Sequence, residues 1–163
     1  MSRAVACVGL GGNVGEPART LREAFVALDA LPGTRLLRTS RLYRTPAWGL
    51  RDQPDFINAA ATVDTGLTPQ QLLQALLAIE QRFGRDRANV DRWGPRSLDL
   101  DLLLHGDAVL DEPGLRLPHP HLHERAFALV PHAEIAPDAL IPGHGRVRDA
   151  LAALDAGGIE ALP

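Results

Sequence analysis

Apolar residues along the chain fall into continuous, helical and alternating runs, and each spacing predicts a different element. Residues 4–10 are continuously apolar and read as a buried strand, broken by Gly11-Gly12-Asn13. Glu16-Pro17 opens a segment in which Leu21, Ala24, Phe25 and Leu28 recur at helical spacing as far as about Ala30, and Pro32-Gly33 ends it. Residues 35–43 read as a second strand. In residues 56–63 the alternation returns, with Ile57, Ala59, Ala61 and Val63 on one side. Thr68-Pro69 is a helix start: a hydroxyl to cap exposed amides, then a proline where no amide is needed. Leu72, Leu73, Leu76 and Ile79 carry that helix and Gly84 closes it. Residues 98–104 form the next strand, 109–117 a small hairpin, and 125–131 and 148–154 short helices.

Strand–helix–strand–strand–helix–strand order predicts an α+β sandwich with helices packed on one sheet. A length of 163 residues suits one core, so residues 1–163 are expected to form a single domain. Two long loops, 44–55 and 85–97, interrupt the elements, and such loops usually carry function.

Composition narrows the chemistry. A formal charge of -3 argues against a general nucleic-acid binder. All 17 basic residues are Arg, so no P-loop lysine exists and phosphate must be met by guanidinium, imidazole, backbone amide or metal. Cys7 is the only cysteine, which excludes an intrachain disulfide and a cysteine-built zinc site. No apolar stretch approaches a membrane span and the first is too short for a signal peptide, so a cytoplasmic location is expected.

Four groups of residues could do chemistry. Asp99 and Asp101 lie two apart on a strand and therefore share a face, opposite Leu98, Leu100 and Leu102. Paired carboxylates repel unless a cation lies between them, and oxygen donors of this kind suit Mg²⁺; a half-exposed strand with both groups in water is the plainer alternative. Arg82, Arg85, Arg87, Arg92 and Arg96 run into that pair, as a polyphosphate site would need, or form a solvated loop with Asp86 and Asp91. Trp93 in this polar loop has the character of a lid residue. His119, His121 and His123 alternate; one imidazole bonding a phosphate near Arg125 is more economical than zinc, which lacks an evident fourth ligand. Phe56 and Asn58 share a strand face, and with Phe127 they suit a flat heterocycle, stacked by rings and read by an amide, unless both rings are core.

Taken in order, these residues resemble the 6-hydroxymethyl-7,8-dihydropterin pyrophosphokinase family of folate biosynthesis. The resemblance is carried by Gly11-Gly12-Asn13, Tyr43-Arg44-Thr45-Pro46, the run 52–60, Ile79-Glu80 with Gly84-Arg85, and above all the run 92–101. Pro118-His119, Arg125-Ala126-Phe127 and Glu134-Ile135-Ala136-Pro137 continue it over nearly the whole chain. It implies a ferredoxin-like sandwich around an antiparallel sheet, and transfer of the pyrophosphoryl group of ATP to the pterin hydroxymethyl with release of AMP. It implies two Mg²⁺ at Asp99 and Asp101, phosphate contacts at Arg85, Arg96, His119 and Arg125, and Glu80 in the nucleotide pocket. Phe56 and Phe127 match the pterin sandwich, Asn58 the edge reader, Thr45 and Pro46 its neighbours, and Trp48 and Trp93 the mobile lids. Leu77, Pro120 and Phe56 depart from the best-known bacterial pattern. The expected partners are the two small substrates, with no nucleic acid or membrane, and the expected state is a monomer. An RNA-binding module and a metal-dependent phosphohydrolase are the rival readings; the second would need no pterin.

Overall fold

The first apolar run becomes a nine-residue strand, β1 (Ala4–Gly12), and continues through both glycines that looked like its end. The computed structural model describes residues 3–46, 54–84 and 97–163. Helix α1 (Pro17–Asp29) buries Leu21, Ala24 and Leu28 of the predicted stripe and Ala27 beside them, while Phe25 is half-buried at its edge. Strands β2 (Thr34–Thr39), β3 (Tyr43–Thr45) and β4 (Phe56–Thr65) follow. Helix α2 (Pro69–Arg82) opens with a reciprocal cap: Thr68 Oγ1 accepts from Gln71 N at 3.1 Å, and Gln71 Oε1 accepts from Thr68 N at 2.9 Å. Gly84 follows its end at φ +83°, the left-handed turn that lets the chain leave the helix.

Strand β5 (Asp99–His105) then completes the central pattern. Strands β6 (Leu110–Glu112) and β7 (Leu115–Leu117) form the expected hairpin. Helix α3 (Ala126–Ile135), strands β8 (Leu140–Ile141) and β9 (Gly145–Arg146), helix α4 (Val147–Ala152) and strand β10 (Glu160–Ala161) follow.

The main sheet runs β10-β3-β4-β1-β5, with β2 beside β3 on the same edge of β4. Every pairing in it is antiparallel. With α1 and α2 as the crossovers, this is the ferredoxin-like arrangement. Alternation along β1 divides the core: Ala6, Val8 and Leu10 meet α1 and α2, while Cys7 joins Leu103, Leu104, Leu122, Leu129 and Val147 beneath α3 and α4. The sheet is therefore the middle layer, with helices on both faces. Burial pushes the Cys7 thiol up to about 12, which makes it a protonated core group.

Three departures from the expected elements have local causes. The strand expected over 35–43 is two strands, since β2 pairs with Thr65–Ala61 and β3 with Asn58–Phe56. Between them Ser40 alone exchanges bonds with Ala60, its N donating to Ala60 O at 2.9 Å and its Oγ accepting from Ala60 N at 2.8 Å. The helix expected to end at Pro131 runs on to Ile135, because Pro131, His132 and Ile135 are all buried and that packing outweighs one missing helical bond. The last helix begins at Val147, whose side chain is fully buried, one residue before the expected start.

Candidate active site

Four strands bring one row of side chains together on the face covered by α3. Gly11 pairs with Asp99 on one side and Asn58 on the other, and Asn58 pairs in turn with Tyr43. The row thus reads Asp99, Gly11, Asn58, Tyr43. Asp101 lies opposite Gly9, and Gly9 opposite Ala60. At about 5 Å per strand, Asp99 and Asn58 stand roughly 10 Å apart across a floor of glycine. A Cβ on Gly11 would come within 2.8 Å of Asn58 Oδ1, and one on Gly9 within 3.2 Å of Leu103 Cδ1. The glycines therefore keep open the surface between the carboxylates and the amide.

Asp99 is half-buried and Asp101 exposed, while Leu98, Leu100 and Leu102 point into the core beneath α2. A bulge at Leu103, where the register slips between Val8 and Cys7, turns the following residues into the second apolar layer and ends the acidic stretch.

Glu80 holds this strand from behind. Its carboxylate is 2% exposed and Oε2 accepts from Leu100 N at 2.8 Å, so the last turn of α2 grips β5 midway between the two aspartates. Ser97 Oγ donates to Phe83 O at 3.0 Å and fastens the entry to the same strand. Farther along, His119 N donates to Leu103 O at 3.0 Å.

His119 Nδ1 accepts from His121 N at 3.2 Å, which leaves the ring proton on Nε2 as a donor. Burial, followed by the charges of Arg125 and His121, lowers this imidazole to about 4, so it is neutral near pH 7. Arg125 precedes α3, and its guanidinium lies 5.7 Å from the centre of the Phe127 ring. The other histidines are engaged differently: His121 and His123 both approach Glu124, at 3.3 and 3.2 Å, and His123 stacks on His144 at 3.7 Å. No group of three or more metal-binding side chains stands together among the described residues.

At the other end of the row, Asn58 and Thr45 are both buried, and Asn58 Nδ2 donates to Thr45 Oγ1 at 2.7 Å. That bond fixes the amide, with Oδ1 turned toward Gly11. Phe56 is half-buried opposite Thr45 in the ladder, Phe127 is half-buried in the first turn of α3, and Pro46 is exposed. Trp48, Arg85, Trp93 and Arg96, assigned from the sequence, lie outside the described residues. Sequence reading missed Asn13, treated there as a strand breaker. Its buried side chain donates to Pro54 O at 2.9 Å and secures the start of the segment that leads into Phe56.

Fold and site together have the character of a small-molecule enzyme: a ferredoxin-like sandwich in which a carboxylate pair and a buried, hydrogen-bonded amide share one glycine-floored face. Residues 7–137 match the 7,8-dihydro-6-hydroxymethylpterin-pyrophosphokinase family model. The chain is 50% identical over 155 residues to the 2-amino-4-hydroxy-6-hydroxymethyldihydropteridine pyrophosphokinase of Methylorubrum extorquens, covering 95% of this chain and 96% of that one. Against the Pseudomonas aeruginosa protein of the same name identity is 47% over 156 residues, covering 96% and 95%. A crystal structure of Plasmodium falciparum HPPK-DHPS with pteroate superposes with a TM-score of 0.70 at 14% identity, a likeness of fold. That match covers 93% of this chain and 42% of the solved one, so the chain spans less than half of that protein. The chain belongs to the 7,8-dihydro-6-hydroxymethylpterin-pyrophosphokinase family, and its reaction is pyrophosphoryl transfer to the hydroxymethyl-dihydropterin of folate biosynthesis.

Proposed function

We propose that ATP is the donor, that Asp99 and Asp101 hold Mg²⁺ against its phosphates, and that the pterin lies over Asn58. The shared row of Asp99, Gly11 and Asn58 is the observation that carries this reading. It sets an acidic end and a hydrogen-bonding end on one open surface, a fitting span for a triphosphate meeting a heterocycle.

The donor set fits magnesium. Two oxygen-bearing side chains face a glycine floor that a Cβ would fill, and with no third such group beside them among the described residues, water and phosphate would complete the shell. Two ions are expected. Bound there, Mg²⁺ would neutralise phosphate charge and align the groups that react.

The remaining roles belong to side chains. Asn58, its amide fixed by Thr45, reads the pterin edge. Phe56 and Phe127 stack on its faces, with Pro46, Trp48 and Trp93 at the margins. His119 donates its Nε2 proton to a phosphate oxygen, and Arg125, Arg85 and Arg96 supply guanidinium forks. Glu80, buried behind β5, borders the nucleotide. The pterin hydroxyl oxygen bonds to the β-phosphorus and its proton passes to water, as the bond from that phosphorus to the bridging oxygen breaks and AMP departs with that oxygen. Orientation and charge neutralisation supply most of the rate.

The enzyme so described is a single domain over 1–163, a cytoplasmic monomer that engages neither nucleic acid nor membrane. Among the described residues no helix is long and apolar enough to cross a membrane. The test is an assay for AMP with each component withheld in turn. AMP should form only with ATP, Mg²⁺ and 6-hydroxymethyl-7,8-dihydropterin together. Phosphate or pyrophosphate released without pterin would instead make the site a hydrolase.

A further inference from the structure

We propose that Glu134 is a positioning residue for the pterin subsite, fixing the distance between Phe127 on α3 and Asn58 on the sheet. The inference rests on the pterin reading of those two residues given above.

Glu134 lies in the last turn of α3, seven residues after Phe127 and on the same side of the helix. Its carboxylate binds the chain around β3. Oε1 accepts from the Tyr43 hydroxyl at 2.5 Å and from Arg41 Nε at 3.3 Å, and both oxygens accept from Arg41 N at 3.1 Å. One residue on, the Ile135 carbonyl accepts from Arg38 Nη1 at 3.2 Å. The C-terminal end of α3 is thus tied to two points along the segment that leads into β3.

That segment is where the subsite is set. Tyr43 is 5% exposed and pairs directly with Asn58, so the hydroxyl that meets Glu134 belongs to the same row as the amide. Two residues farther along β3, Thr45 holds that amide. Strand β3 has only three residues, and its ladder to β4 is correspondingly short. A rigid helix of about 1.5 Å per residue carries Phe127 roughly 10 Å from the Glu134 clamp. Loss of the clamp frees the helix to shift against β3 and moves the ring relative to the amide.

The electrostatics agree with a clamp rather than a ligand. Partial burial acts to raise the Glu134 carboxyl, but the hydrogen bonds from Tyr43 and Arg41 outweigh it and hold the group below its ordinary range. The hydrogen bonds of the carboxylate go to Arg41 and Tyr43, so it acts on the subsite through Tyr43 and β3.

The experiment uses the full chain with E134A, E134Q, Y43F and F127A. It measures pterin affinity by pterin fluorescence in the presence of Mg²⁺ and a non-hydrolysable ATP analogue, together with both KM values, kcat and Tm. At a temperature well below Tm, E134A should weaken pterin binding and raise pterin KM about ten-fold, with ATP KM changed less than about two-fold. E134Q retains an oxygen for Tyr43 and should recover most of the loss. Y43F should show a smaller loss, and combining it with E134Q should be less than additive. If E134A fails to fold, Y43F decides the matter by the same split. A lowered Tm with unchanged pterin affinity, or equal effects on both substrates, overturns the proposal. Unchanged pterin binding in F127A would instead defeat the underlying subsite reading.

Discussion

Gly11 and Asn58 face each other across β1 and β4, and a single added methyl on the glycine would stand 2.8 Å from the Asn58 carboxamide oxygen. The amide cannot yield freely, because its nitrogen is held by Thr45 at 2.7 Å. G11A is therefore expected to twist the amide or push the strands apart, raising pterin KM by about ten-fold or more, at a stability cost of about 1–3 kcal/mol. Steady-state kinetics and a denaturation curve measure the two effects.

Removing one of the paired carboxylates should separate fold from activity. Asp101 is exposed on β5, so D101N should leave stability within about 0.5 kcal/mol of the parent. Turnover should fall by at least about 100-fold and the Mg²⁺ requirement should shift to higher concentration. A magnesium titration of the rate checks it, and normal turnover at the original magnesium concentration would remove Asp101 from the metal site.

Glu80 offers the complementary case, a buried carboxylate with a structural bond to β5. E80A leaves Leu100 N without that acceptor and opens a gap beneath β5. A loss of about 2–4 kcal/mol is expected, with a fall in activity, whereas E80Q keeps an acceptor oxygen and should retain much of both. Urea unfolding of the two variants distinguishes them.

His132 should make the protein sensitive to acid. Its ring is fully buried on α3, and among the described residues the Ala128 carbonyl, one turn back and short of good hydrogen-bond geometry, is the polar group that acts on it. Burial lowers it to about 4, and the Ala128 carbonyl one turn back is too weak an influence to offset that. A histidine whose folded value lies below its unfolded value of 6.5 contributes its full stability above that pH, and the contribution drains away as pH falls toward 4. The loss over that window is on the order of 3 kcal/mol. His119 is shifted the same way and adds to the slope. H132L should flatten the pH dependence of Tm between those limits and raise stability near neutrality.

The parts of the fold legible in the sequence are those with a single strong periodicity. The α1 and α2 stripes, the alternation of β4 and the leucine-aspartate alternation of β5 each decide one face, and the structure keeps those faces. The rest depends on contacts made at a distance. Ser40 divides a strand because Ala60 is available to it, and α3 passes through Pro131 because buried packing holds it on both sides of the proline. The supports of the site are least legible: Glu80 meets Leu100 across 20 residues, Asn13 meets Pro54 across 41, and Glu134 meets Arg41 across 93. Motif spacing picks out side chains that could meet a ligand. It carries no sign of which backbone amide, in a remote strand, a carboxylate will hold.

The bonds along the outer margin of β5 have one more effect. A terminal strand normally displays amides and carbonyls that a foreign strand can copy. Here Leu100 N is taken by Glu80 and Leu103 O by His119 N, on either side of Asp101. The same contacts that steady the acidic end of the sheet deny intruding chains a template, so this acidic strand is also guarded against aggregation.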